Sequence, residues 1–354
     1  MQNRPKNPTE LDFLSYLALR VRTNTGANRR ASPVEIGPAL RLGIGDDCAL
    51  LRPPPGSQLA VTTDFSLENR HFLRRLHPPE SVGHRTLARG LSDLAAMGAT
   101  PLAAFLSLAL PADALRGGKN SWSARFLDGL LSLTDTHHIP LAGGDTSESP
   151  NSLILADIVL IGSLPKNRAL LPALLRSGAR PGDSLYVTGS LGGAAAELAA
   201  LTRNPKRFAA LKKFSDGHPH LYPQPRIAVG HALLHSKSAS ACIDLSDGLS
   251  TDLVHLCRAS NVAAQIQSAD LPIAPGATLD DALNGGEDYE LLFSAPASRR
   301  IPKKIAGVPI TRIGIIVARK KGQPLCASIN SAGKSVPLPA RGFEHFRSRS
   351  ENSR

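Results

Sequence analysis

Apolar positions recur along this 354-residue chain in two rhythms. Between Pro79 and Met97, Leu87, Leu91, Leu94 and Met97 fall three or four residues apart, the spacing of one helix face, and Gly98 follows as a C-cap. A second helix is predicted over residues 121–137, and "LDFLSYLALRVR" near the start has the same period. Other apolar stretches are short. "SQLAVTTD" (57–64), the proline-bounded "PLAAFLSLALP", "IPLAGGD" (139–145) and "SLILADIVLIGSL" (152–164) read as strands, the third entering a glycine turn. Over residues 176–201 a Pro-Gly-Asp turn, a strand, a glycine turn and an Ala-rich helix succeed one another. "SACIDLSDGLSTDLVHLCRAS" (240–260) reads as strand, acidic turn and helix, and "GGEDYELLFSAP" (285–296) as an acidic turn into a strand. The alternation argues for layered α and β, without choosing between a doubly wound sheet and an α+β arrangement. Residues 1–10 read as a disordered lead-in, and the Leu-, Pro- and Arg-rich stretch at 163–178 marks a domain boundary.

Composition narrows the classes. With 42% hydrophobic residues the chain can bury a core, and 4% aromatics leave that core to Leu, Ile, Val and Ala. The formal net charge of +12 is concentrated in "MQNRPK", "RTNTGANRRA", "ARKKG" and "RSRSENSR", which read as solvated tails and loops. No RNP, zinc-finger or helix-turn-helix pattern accompanies it, so no nucleic-acid partner is expected, while an anionic substrate stays open. The four cysteines lie far apart in sequence without C-x-x-C spacing, which disfavours a disulfide framework or zinc and fits a reducing compartment. Neither an apolar signal core nor a membrane-length stretch occurs, and a cytoplasmic protein with no membrane partner is expected.

The carboxylates carry the chemistry. Only 29 residues are Asp or Glu, yet many stand at one kind of place. Asp46 and Asp47 follow Gly-Ile-Gly, Asp64 ends "VTTD", and Asp93 lies in "LSD". Asp145 follows Gly143-Gly144, Asp244 and Asp247 frame "DLSDG", and Glu287 and Asp288 follow Gly285-Gly286. Taken singly, each reads as a turn or a helix cap. Taken together, acidic residues at strand ends beside glycines and hydroxyls are what a hard cation shared with phosphates needs. "TGSLGG" fits neither G-x-x-x-x-G-K-[ST] nor G-x-G-x-x-G, and no G-x-S-x-G or H-E-x-x-H occurs.

In order, "GIGDDCALL", "VTTD…HF", "LARGLSDLAAMGATPLA", "LAGGDT", "RSGARPGDSLYVTGSLG", "CIDLSDGLSTDL", "GGEDYELLF" and "GFEHF" closely resemble the thiamine-monophosphate kinase family. That family belongs to the aminoimidazole-ribotide-synthetase-like ATP-binding superfamily, and the likeness runs from about residue 11 to 346. The resemblance implies an N-terminal α/β, mixed-sheet domain over 11–165 that binds ATP and Mg²⁺ and pairs across a homodimer. It implies a C-terminal α+β sandwich over 166–346, with a basic tail at 347–354. The implied reaction moves the γ-phosphoryl group of ATP to thiamine monophosphate, giving thiamine diphosphate and ADP. It would use several Mg²⁺ ions and no covalent nucleophile.

Carried over by motif, Asp47, Thr62, Thr63, Asp64, Asp93, Asp145, Asp244 and Asp247 look like metal ligands. Gly144, Arg176 and Ser246 look like ATP contacts, and His71, Glu287 and Phe343 like substrate contacts. An aromatic face at Phe343 suits a pyrimidine and a thiazolium charge, which Glu287 would complement. Asp46 and Asp288 read as structural supports, and Arg70 in "ENRHF" departs from the family pattern. Three other readings stand beside this one: another enzyme of the superfamily, a non-catalytic nucleotide sensor, and a basic nucleic-acid-binding protein whose acidic turns are caps.

Overall fold

The computed structural model describes Leu17, Arg20 and residues 39–165, 173–208, 217–330 and 332–344. The expected lead-in, the basic tail and most of the helix near the start lie outside the described residues. Leu17 and Arg20 are both helical, and Arg20 pairs with Asp128. The chain divides into two compact units, Met1–Leu94 with Ala99–Pro172 and Leu201–Gly217, and Ala95–Gly98 with Ala173–Ala200 and His218–Arg354.

The first unit begins with a two-stranded ladder, β1 (Leu40–Leu42) and β2 (Leu50–Leu51), around the Gly-Asp-Asp loop. Strands β3 (Gln58–Leu67), β4 (Thr100–Leu110), β5 (Leu141–Glu148) and β6 (Leu155–Leu164) form one sheet in the order β3-β6-β4-β5. Only the β4–β5 pair is parallel. Helix α1 (Pro79–Met97) buries Leu87, Leu91 and Leu94, each worth roughly 2 kcal/mol of transfer free energy. It ends at Gly98, whose φ of 70° lets its N–H return to the Ala95 carbonyl. Helix α2 (Trp122–His137) starts on the Ser121 hydroxyl, which accepts from the Ala124 N–H. The two helices meet at glycines: a Cβ on Gly83 would strike the Phe126 carbonyl, and one on Gly129 the Glu80 carbonyl. Arg125 clamps this crossing with two bonds to Glu80, at 2.8 and 2.9 Å.

Along β3 the side chains alternate. Gly90 of α1 stands against Thr62 and Leu160, which fixes the helix-facing side. Leu59, Val61 and Phe65 fall on the opposite side and are 52, 65 and 61% exposed, an uncovered apolar strip.

The second unit is an eight-stranded sheet flanked by helices. It contains β7 (Ser184–Thr188), β8 (Ala241–Asp244), β9 (Ala263–Gln267), β10 (Leu291–Ala295), β11 (Lys304–Ile305), β12 (Val308–Val317), β13 (Cys326–Ile329) and β14 (Ser335–Pro337). The order is β14-β13-β9-β12-β7-β10-β8, with β11 on β12 and only β13–β9 parallel. Its helices are α3 (Gly193–Arg203), α4 (Ile227–Ser236), α5 (Leu249–Ser260) and α6 (Leu279–Asn284). Strand β10 is buried throughout because its two sides feed two cores. Leu292 joins Leu253, Leu256 and Cys257 of α5, while Leu291 and Phe293 join Val229 and Leu233 of α4.

One expectation is corrected here. The Gly143-Gly144 pair lies inside β5 and is no turn: the ladder passes over Ala142, opposite the step from Ala104 to Phe105, and a Cβ on Gly144 would strike the Leu106 carbonyl. Cys257 and Cys326, distant in sequence, bring their sulfurs 3.9 Å apart as free thiols.

Candidate active site

In the first unit, β3 and α1 assemble an acidic face. Thr62 and Asp64 are two residues apart on one side of the strand, and the Thr62 hydroxyl donates to Asp93 of α1. Arg89 lies one helical turn before Asp93, with Nε 3.9 Å from Asp64 Oδ1. Burial and then the Asp93 charge push the Asp64 carboxyl up to about 6, with Asp157 adding and Arg89 opposing. Neither Asp64, within a strand, nor Asp93, within a helix, is a turn or a cap. Thr63 points the other way: its hydroxyl donates to Asp157 at 2.7 Å, on the side of Val61 and Phe65. The structure therefore separates the Thr63 side chain from Thr62 and Asp64.

The Gly-Asp-Asp loop and β5 border a cavity of about 520 Å³, lined by Asp46, Asp47, Gly144, Asp145 and Thr146 among others. Asp46 accepts the Asp47 N–H at 2.9 Å, a local support, and both side chains are exposed. His71 follows β3, and its Nδ1 accepts the Leu67 N–H at 3.0 Å. That bond places the neutral ring's proton on Nε2.

In the second unit, backbone bonds tie three turns together. The Glu287 N–H donates to the Ser246 carbonyl at 2.8 Å, Tyr289 to Leu245 at 2.9 Å, and Phe343 to Asp247 at 2.9 Å. These bonds bring Ser246, Asp247, Glu287 and Phe343 together, and Asp244 ends β8 opposite Leu291. The close approach requires glycine, since a Cβ on Gly342 would strike the Asp247 carbonyl. Glu287 and Tyr289 hold φ of 66° and 49°, a left-handed backbone that non-glycine residues seldom adopt. Phe343 is 41% exposed. Arg176 is exposed and takes no part in that backbone network; its carbonyl accepts from the Ser260 hydroxyl at 2.9 Å.

Several residues that bear on the site were not singled out in the sequence. Asp252 accepts the N–H groups of Asp247 and Gly248, both at 3.1 Å, so it builds the acidic turn. Gly248, and not Asp247, stands at the N-cap position of α5. Burial, then the charges of Asp244 and Asp247, push Asp252 well above the usual carboxylate range. Ligand atoms of Asp247, Asp252 and His255 lie within 4.8 Å of one another. Only their helical spacing could have signalled this. Asp288 accepts from the Gly192 and Ala194 N–H groups at 2.7 and 3.2 Å and, as read, supports the loop before α3. Arg226 forms a forked pair with Glu290, at 2.7 and 2.5 Å, and the Thr188 hydroxyl donates to the same carboxylate.

Comparison with known proteins agrees with this layout. Residues 45–164 match the family model of the AIR synthase related protein N-terminal domain, and 180–326 that of its C-terminal domain. A thiamine-monophosphate kinase of Escherichia coli O157:H7 is 40% identical over 319 residues, covering 87% of this chain and 92% of that protein. The crystal structure of thiamine-monophosphate kinase from Stenotrophomonas maltophilia K279a aligns with a TM-score of 0.71 and 33% identity, over 90% of this chain and 96% of that one. A structure of AaThiL complexed with AMPPCP and TMP aligns at 0.68 and 28% identity, over 98% and 99%. The chain belongs to the thiamine-monophosphate kinase family.

Proposed function

We propose that the chain transfers the γ-phosphoryl group of ATP to the phosphate of thiamine monophosphate. A phosphate oxygen of the acceptor bonds to the γ-phosphorus as the bond to the bridging oxygen of ADP breaks, giving thiamine diphosphate. The observation that carries this is the acidic face of β3 and α1, where Asp64 is buried beside Asp93 and, among the described residues, the cation that approaches it is Arg89 at 3.9 Å. Such an all-oxygen donor set fits Mg²⁺. When bound, Mg²⁺ neutralises phosphate oxygens and orients them for in-line transfer.

The residues have separate tasks in this reading. Asp64, Asp93, Asp47, Asp145, Asp244 and Asp247 hold metal, with the Thr62 hydroxyl keeping Asp93 in place. Thr63 contributes through its backbone rather than its side chain. Gly144, Ser246 and Arg176 meet the nucleotide, Arg176 through the forked donors of its guanidinium. His71 offers its Nε2 proton to the acceptor phosphate, Phe343 its ring face to the heterocycle, and Glu287 its charge to the thiazolium. The exposed strip of Leu59, Val61 and Phe65 supports pairing into a homodimer through the first unit. Among the described residues, no helix is long and apolar enough to cross a membrane. We place the reaction in the cytoplasm, where Cys257 and Cys326 stay reduced.

The test is product formation from the purified protein with Mg²⁺, ATP and thiamine monophosphate. ADP and thiamine diphosphate are expected in equal amounts, and EDTA should abolish both. ADP without thiamine diphosphate would move the acceptor elsewhere, and neither product from folded protein would overturn the kinase reading.

A further inference from the structure

We propose that Asp288 is a positioning residue whose carboxylate seats the acceptor loop, residues 285–288, on the first turn of α3 and so sets where Glu287 stands. This rests on the reading of Glu287 as a substrate contact given above. Helix α3 takes its cap from far along the chain. Gly192 precedes it without a side chain to cap it, and the first N–H groups of a helix find no partner within that helix. Gly192 and Ala194 are both buried, so their N–H groups need a partner from the protein. Asp288 supplies it: Oδ2 accepts the Gly192 N–H at 2.7 Å and Oδ1 the Ala194 N–H at 3.2 Å. The helix dipole favours an anion at that end. The glycine loop "TGSLGG" thus cradles an anion, and the anion is one of the chain's own side chains.

The seat is close-fitting. A Cβ on Gly192 would come within 2.6 Å of the Ala282 nitrogen in α6, and one on Gly285 within 2.7 Å of the Ala195 Cβ in α3. Glycine at both positions lets α6, the loop after it and the start of α3 meet. The other flank of the loop is held through its backbone, where Glu287 and Tyr289 donate to Ser246 and Leu245. Asp288 stands between these two residues, both of which hold a left-handed φ. Such a backbone persists only where its surroundings fix it. Without the Asp288 carboxylate the pair loses its tie to α3, and relaxation of either residue moves Glu287.

A cap that served α3 alone would show in stability and nowhere else. A seat for the loop shows in acceptor binding, with the nucleotide side unmoved.

The experiment compares Asp288→Asn and Asp288→Ala by steady-state kinetics at pH 8, where the wild-type carboxyl, pushed up to about 7 by burial, is ionised. The Asn oxygen keeps one of the two bonds, and Ala keeps neither. Asp288→Ala should raise KM for thiamine monophosphate about tenfold, the scale of a lost hydrogen bond to a charged group, and leave KM for ATP within about twofold. Asp288→Asn should show a smaller rise. In a Glu287→Gln background, Asp288→Ala should add little, because its effect runs through Glu287. If the Asp288 variants do not fold, Gly285→Ala decides: its Cβ would press on Ala195 and lift the loop with Asp288 intact, and the same split between the KM values is expected. Equal rises in both KM values, additive effects of the two substitutions, or lower stability with both KM values unchanged would overturn the proposal. Wild-type protein that forms no thiamine diphosphate would overturn the functional reading and this one with it. Wild-type turnover with an unchanged KM in Asp288→Ala would overturn this one alone.

Discussion

The two units each gather carboxylates, and they treat them differently. In the second unit, Asp252 and Asp288 each accept two backbone N–H groups, at loops that lead into α5 and α3. Their burial is heavy, and it pushes Asp288 up to about 7 against those two bonds. These side chains hold the turns in shape. In the first unit, Asp64 stands in the edge strand β3, and among the described residues the cation that approaches it is Arg89, at 3.9 Å. A carboxylate answered by backbone donors is scaffold; one answered only by other carboxylates and a distant guanidinium is ready for a cation. The comparison sorts the acidic residues by what surrounds them, which their positions in the sequence do not.

Substitutions can break or sharpen that distinction. Asp64→Asn should lower kcat by about 100-fold or more, through lost phosphate neutralisation, while metal-free thermal stability holds or rises. A variant that keeps near-wild-type turnover at saturating Mg²⁺ would remove Asp64 from the metal set. Asp288→Ala should do the reverse. Orphaning the Gly192 and Ala194 N–H groups should cost about 1–3 kcal/mol in denaturant unfolding at pH 6, with the Mg²⁺ dependence of turnover intact. Loss of Mg²⁺ dependence in that variant would erase the contrast between the units.

The smallest effect is in pH dependence. The folded-state value of Asp64, about 6, lies above the ordinary 3.8. Its contribution to stability is therefore present below about pH 4 and lost as pH rises through about 6. The loss should be on the order of 1–2 kcal/mol once solvent at its partly exposed carboxylate is allowed for. Thermal melts in EDTA from pH 4 to 7 should show a decline that Asp64→Asn flattens and that Mg²⁺ offsets at pH 7. Identical slopes in the two proteins would show that Asp64 is not the group responsible.

Much of the fold was legible because local signals agreed with tertiary packing. Helix α1 runs from Pro79 to Met97 as read, since proline suits a first turn, the leucines share one face and Gly98 supplies the left-handed stop. Strands β4 and β6 were equally plain. Gly143-Gly144 misled because glycine serves close strand approach as well as turns, and only the neighbouring Leu106 carbonyl decides which. Helix α4 escaped notice: no side chain caps its start, and Gly230 interrupts its interior. At the site, the motifs pointed to turns that backbone bonds bring together in the second unit. They did not reveal that Thr63 faces away from Thr62 and Asp64, although alternation in a strand requires it. Nor did they reveal Asp252, whose role depends on the two backbone N–H groups that it accepts from one helical turn away.

The most direct test of the account is Mn²⁺ binding, followed by electron paramagnetic resonance with a non-hydrolysable ATP analogue present, in wild type and Asp64→Asn. The account predicts that the variant loses at least one tightly held ion and keeps its fold. Equal stoichiometry and affinity in the two proteins would contradict it, because the acidic face of β3 and α1 would then hold no metal.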